Sequence, residues 1–137
     1  MTGRVTANLV IGGVAVYDLV LGSALLLLPL ETMRLFGWDY RGPVFFVEQS
    51  GLFLMILGAA YAAGILNRAF AWFLVGSKAA AVVFLTGEYL TGKAPTTVLL
   101  AAAVDGLMGL SVTVAVLRES PRGGGGGSRA ISGADGQ

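Results

Sequence analysis

Phe70–Leu90 reads FAWFLVGSKAAAVVFLTGEYL, an apolar run long enough to cross a membrane with one lysine at its centre. Lys78 is the only cation inside the chain's long apolar segments. Asp18, Glu48 and Asp105 each sit inside one of the other three. A charge in the middle of a spanning helix costs roughly 2.5–3.5 kcal/mol on insertion scales, so four unpaired ones would cost about 10 or more. These side chains are therefore expected to face one another or a wet cavity. The chain reads as all-α, a bundle of four transmembrane helices around a polar cluster of Asp18, Glu48, Lys78 and Asp105.

The rest of the composition agrees. Of 137 residues, 55% are hydrophobic and 12% charged, with a mean hydropathy of +0.79. A soluble domain of this size carries about a quarter of its residues as charges, so the shortfall points to an integral membrane protein. The formal charge of +1 gives no reason to expect nucleic-acid binding. There is no cysteine for disulfide exchange and no histidine, the commonest haem and metal ligand. No acidic run has the spacing of a cation-binding loop. No catalytic constellation or metal site emerges, and the chain is not read as an enzyme on its own.

Working outward from Lys78, the spans are Asn8–Leu30, Pro43–Leu66, Ala69–Leu90 and Thr96–Leu117. The first is too long for the apolar core of a signal peptide, and Asp18 interrupts it. Pro29 falls in its last turn, where a helix ends or kinks at little cost. Pro43 suits the start of the second. Gly58/Ala62, Ala59/Ala63 and Ala60/Gly64 offer small residues four apart for close helix packing. The segment Glu31–Gly42, ETMRLFGWDYRG, mixes Trp38 and Tyr40 with charges, as expected of an interfacial stretch or a lid. Residues 1–118 form the transmembrane domain. Residues 119–137, with the glycine run Gly123–Gly127, are expected to be a disordered tail.

Four spans put the N-terminus, the Asn67-Arg68 turn and the C-tail on one side, with Arg4, Arg68, Arg118, Arg122 and Arg129. Arg34, Arg41 and Lys93 lie on the other. The excess of basic residues favours cytoplasmic termini. At about 1.5 Å per residue, Asp18, Lys78 and Asp105 fall some 13–16 Å into their spans, close to the midplane. Glu48 lies shallower, so the acids are expected to form an exit towards the outer face, continued by Glu88 and Tyr89.

Two readings of the cluster compete. A Lys78–Asp bridge fixes helix register and does nothing else, or the group forms a ligand site or proton path, the usual role of costly intramembrane charges. Ser77, Gln49 and Ser50 are placed to add hydrogen bonds. Tyr17, Phe45, Phe46, Phe53, Tyr61, Trp72, Phe73 and Phe84 either line a pocket for a flat ligand or pack between helices.

The stretch Val47-Glu48-Gln-Ser-Gly51 … Leu57-Gly58 … Asn67-Arg68-Ala69 resembles the DoxX-like family of small bacterial four-helix membrane proteins. Its members open the second helix with a Glu followed by glycines and close it with an Arg. Gly22, Pro29 and the final Asp105 helix fit the same outline, over about Tyr17–Leu117. Many members carry a histidine in the third helix, which this chain lacks. The resemblance implies a multi-pass protein of the bacterial inner membrane, an accessory subunit contacting a quinone or a membrane redox partner, with Glu48 and Arg68 as the matching residues. If a quinone is bound, as the resemblance implies, its carbonyl is expected to accept a hydrogen bond from Lys78. The alternatives are a small proton-coupled carrier of a polar or cationic solute and a purely structural assembly factor. The bilayer is the first partner, with a membrane protein or a second copy of the chain as the next.

Overall fold

The computed structural model describes residues 2–119, so the expected disorder of the glycine-rich tail lies outside the described residues. Among those described are five helices: α1 (Thr2–Leu27), α2 (Pro29–Leu35), α3 (Val44–Ala63), α4 (Arg68–Leu90) and α5 (Thr97–Glu119). The fold is an all-α four-helix bundle. α1, α3, α4 and α5 are each long and apolar enough to cross a membrane, the architecture of a multi-pass membrane protein.

Helix boundaries shift where local chemistry outweighs hydropathy. α1 starts at Thr2 rather than Asn8 and ends at Leu27. Leu28 leaves the helical region (φ −134°, ψ 57°), and Pro29 opens α2 instead of closing α1. Proline is pre-set for that first helical position, where no N–H is needed. α5 continues through Glu119, one residue into the stretch read as tail. Asn67 caps α4, its side chain accepting from the Ala69 N–H.

Two glycines close helices in the left-handed region, Gly37 (φ 75°) after α2 and Gly92 (φ 72°) after α4. In each case the next two N–H groups bond back in the Schellman pattern, Gly37 to Arg34 and Trp38 to Met33, Gly92 to Tyr89 and Lys93 to Glu88. The first of these fixes where Trp38 leaves the helix. Thr97, at the start of α5, donates its hydroxyl to the Phe36 carbonyl, tying the end of the α2 segment to the start of α5.

The long helices form a ring in the order α3, α1, α5, α4. The α1–α3 seam is held by glycine. Gly22 faces Gly51, and Gly58 faces Ala15 and Leu19. Of the small pairs read from α3, Gly58 does pack, but Ala59 and Ala62 are exposed. The stripe that brings the backbones together is Gly22, Gly51 and Gly58. α3 and α4 meet near the turn joining them, where Gly64 lies against Ala71 and Tyr61 reaches Phe73. Both described ends and the 64–67 turn lie at one end of the bundle (the terminal end), as Gly3 beside the Arg118 backbone records. Residues 28–43 and 91–96 lie at the other, the loop end.

The apolar core fills the terminal half. Ile11, Val14, Leu74, Val112 and Val116 pack there around Ala71 and Tyr61. Outward faces carry exposed Leu9, Val16, Phe45, Leu52, Val83 and Leu110 among others, a surface suited to hydrocarbon and not to water.

Candidate functional site

Lys78 leaves α4 midway along its length and points into the bundle, with only 4% of the residue exposed. Its ammonium donates to Asp18 Oδ1 on α1 and to Asp105 Oδ1 on α5, both at 2.8 Å. Both mid-depth carboxylates thus pair with the lysine, and one side chain ties three helices together. Gly109 makes this possible: a Cβ there would stand 3.3 Å from Lys78 Cβ. The Tyr17 and Tyr61 rings lie with centroids 5.7 Å and 5.9 Å from Nζ, within cation–π range. An ammonium has three N–H groups, and the carboxylates take two. Asp18 Oδ2 is buried without a hydrogen-bond partner.

Tyr61 and Ser77 form the next layer. The Ser77 hydroxyl donates to the Leu74 carbonyl at 2.9 Å, so the Tyr61 O–H is the donor in the Tyr61–Ser77 bond. Ser77 therefore holds Tyr61 against the cluster without bonding Lys78 itself. Ser50 likewise donates to the Phe46 carbonyl of its own helix.

Glu48 is the correction. It is half-buried on α3, one position along from the inward-facing Val47, and makes no hydrogen bond or ion pair among the described residues. The helical turn of about 100° per residue sends Val47 and Gly51 to the α1 seam and leaves Glu48 beside it. The acidic exit is also not formed, because Glu88 pairs with Lys93 at 3.6 Å at the loop end.

Above the cluster, towards the loop end, lies a cavity of ≈ 600 Å³. Lys78, Asp18 and Asp105 are its polar floor. Its walls are mainly apolar, with Leu21 and Leu25 from α1, Leu54 and Leu57 from α3, and Leu85 from α4. Tyr17, Phe46, Phe53 and Phe84 from the aromatic set line it. Phe45, Trp72 and Phe73 face outward instead. The loop end is roofed by Met33, Phe36, Trp38 and Tyr40, so the segment Glu31–Gly42 is in the position of a lid.

A second polar group at the terminal end was not anticipated. Arg68 Nη2 donates to Asn8 Oδ1 at 2.7 Å and to Glu119 Oε1 at 2.9 Å, and its Nη1 donates to the Gly64 carbonyl at 2.8 Å. Its Nε forms an ion contact with Glu119 Oε2 at 2.8 Å. This group fastens α1, α4 and α5 where Lys78 fastens them midway. The available sequence signal was the opposite charge of Arg68 and Glu119 at one end of the bundle. Arg68→Ala is expected to lower stability by about 1–3 kcal/mol, because Glu119 and Asn8 lose their donors. Arg68→Lys should recover only part of it, since an ammonium lacks the guanidinium fork. Unfolding midpoints of the full chain in mild detergent measure both.

The chemistry available at the floor is a fixed N–H donor beside two carboxylates in a mainly apolar chamber. No family model, curated protein or solved structure matches the chain.

Proposed function

We propose that this is a DoxX-like protein of the bacterial inner membrane, an accessory subunit that holds a quinone in the cavity above Lys78. The observation that carries the reading is a ≈ 600 Å³ chamber with mainly apolar walls and its charged groups gathered at the deep end. Pockets of about 300–1,000 Å³ lined by apolar and aromatic groups, with a few fixed polar ones, suit small-molecule ligands. A quinone carbonyl accepts the third N–H of Lys78, and the ring packs among Tyr17 and the leucines. Asp18 and Asp105 stand where protons are handed over if the ligand is reduced, with the electrons supplied by a membrane redox partner. The basic residues orient both termini towards the cytoplasm.

An apolar plug of Ile11, Val14, Leu74 and Val112 separates the floor from the terminal end. The Lys78 ammonium at the floor would repel a cationic solute and the mainly apolar walls would not solvate a polar one, which disfavours the carrier. It leaves the accessory-subunit reading first and the assembly factor second.

Binding follows from the quenching of Trp38 by quinone in a Trp72→Phe background, since the chain has two tryptophans and Trp38 lines the cavity. The decisive variant is Lys78→Met with Asp18→Leu and Asp105→Leu, which removes every charge from the floor at similar volume. It is expected to fold and to bind quinone at least about tenfold more weakly. Undiminished affinity would sink the reading. Native mass spectrometry of the protein from its own membrane tests the partner, since a larger redox subunit should travel with it.

A further inference from the structure

The cavity has one unsealed wall. Three of the four seams of the ring are packed, α1 on α3, α1 on α5 and α4 on α5, the first at backbone contact through Gly22 and Gly51. The plug closes the terminal half, and the Gly37 turn with the Thr97 tether holds the aromatic roof over the loop end. The fourth seam differs. α3 and α4 are joined at Gly64–Ala71 and Tyr61–Ser77. Beyond that level, Ser50 and Phe53 on α3 and Ala81 and Phe84 on α4 flank the cavity. Phe53 and Phe84 are 57% and 63% exposed while lining it, as expected of the two jambs of an opening.

We infer that the cavity is entered sideways, between α3 and α4, by a lipid-soluble molecule with a small oxygenated head and a long hydrocarbon tail. The head turns inward to Lys78 near the mid-depth of the bundle, and the tail leaves between Phe53 and Phe84. The polarity of the chamber sets this orientation. A phospholipid keeps its headgroup at the membrane surface, whereas here the charged groups lie at the deep end and aromatic side chains line the surface end. The inference deepens the quinone reading and rests on it for the identity of the head, but the doorway itself has an independent test.

The chain has no cysteine, so Ala101→Cys places a single thiol on the α5 wall of the cavity. In lipid vesicles, a long-chain N-alkyl maleimide is expected to label it readily. Ala81→Trp, which narrows the gap, should slow labelling by about tenfold, and Phe84→Ala, which widens it, should speed labelling. A small, membrane-impermeant maleimide should label it slowly in every variant, because the plug and the roof close the cavity to water. Labelling by the alkyl reagent that ignores both variants, or equally fast labelling by the water-soluble reagent, would overturn lateral entry. Protection of the same thiol by a long-tailed quinone reports on the head. Loss of protection with the portal effects intact removes the quinone reading and leaves the doorway standing.

Discussion

Lys78→Met alone is expected to destabilise the bundle by about 3–5 kcal/mol, the usual cost of removing one partner from a buried ion pair. Among the described residues, the lysine alone forms charged links between the midsections of α4, α1 and α5. Without it, Asp18 and Asp105 face each other in an apolar interior with no cation. Each then loses its only hydrogen-bond donor among the described residues. The double bridge is why this single change is not tolerated, since it strips two carboxylates of their partner at once. Replacing all three by apolar residues of similar volume is expected to restore stability to the parent level or above, because the desolvation cost disappears with the charges. Thermal or denaturant midpoints in detergent compare the two. A single variant as stable as the parent would show that the cluster contributes nothing to holding the helices.

The second large effect is at the α1–α3 seam. Gly51→Leu is expected to prevent normal assembly of the bundle, and even Gly51→Ala should cost about 1–3 kcal/mol by overpacking. A Cβ at Gly51 would stand 2.6 Å from the Gly22 carbonyl oxygen and 2.8 Å from Leu26 N. Those are backbone atoms of a helix, so the clash is relieved only by separating α1 from α3. Gly22→Ala meets Gly51 and Met55 in the same way. Gly76 supplies the contrast. It lies within α4 with nothing inside 4 Å of its missing Cβ, and Gly76→Ala should stabilise by about 0.5–1 kcal/mol through helix propensity alone. A seam variant as stable as the Gly76 variant would refute the close approach.

Seen from these two tests, the sequence was most informative about what cannot be left in hydrocarbon. Lys78, Asp18 and Asp105 had to meet, because each is too costly alone at mid-depth, and they do. Glu48 misled because depth was read without direction. It lies in the second turn of α3, close enough to an end to do without a partner, and its helix face turns it aside. Asn8, Arg68 and Glu119 were overlooked together for a related reason. Polar residues at helix ends are cheap, so nothing in their hydropathy demands that they bond.

Fold class, the four long apolar helices and the convergence of the mid-depth charges are legible in the sequence, because helix length and the cost of burying charge are local properties. Which carboxylates share the lysine, which glycines seal the α1–α3 seam, and the parting of α3 and α4 around a cavity emerge from the packing of the helices. Those outcomes depend on helix rotation and on separations of a few ångströms between segments far apart in the chain, which no single segment encodes.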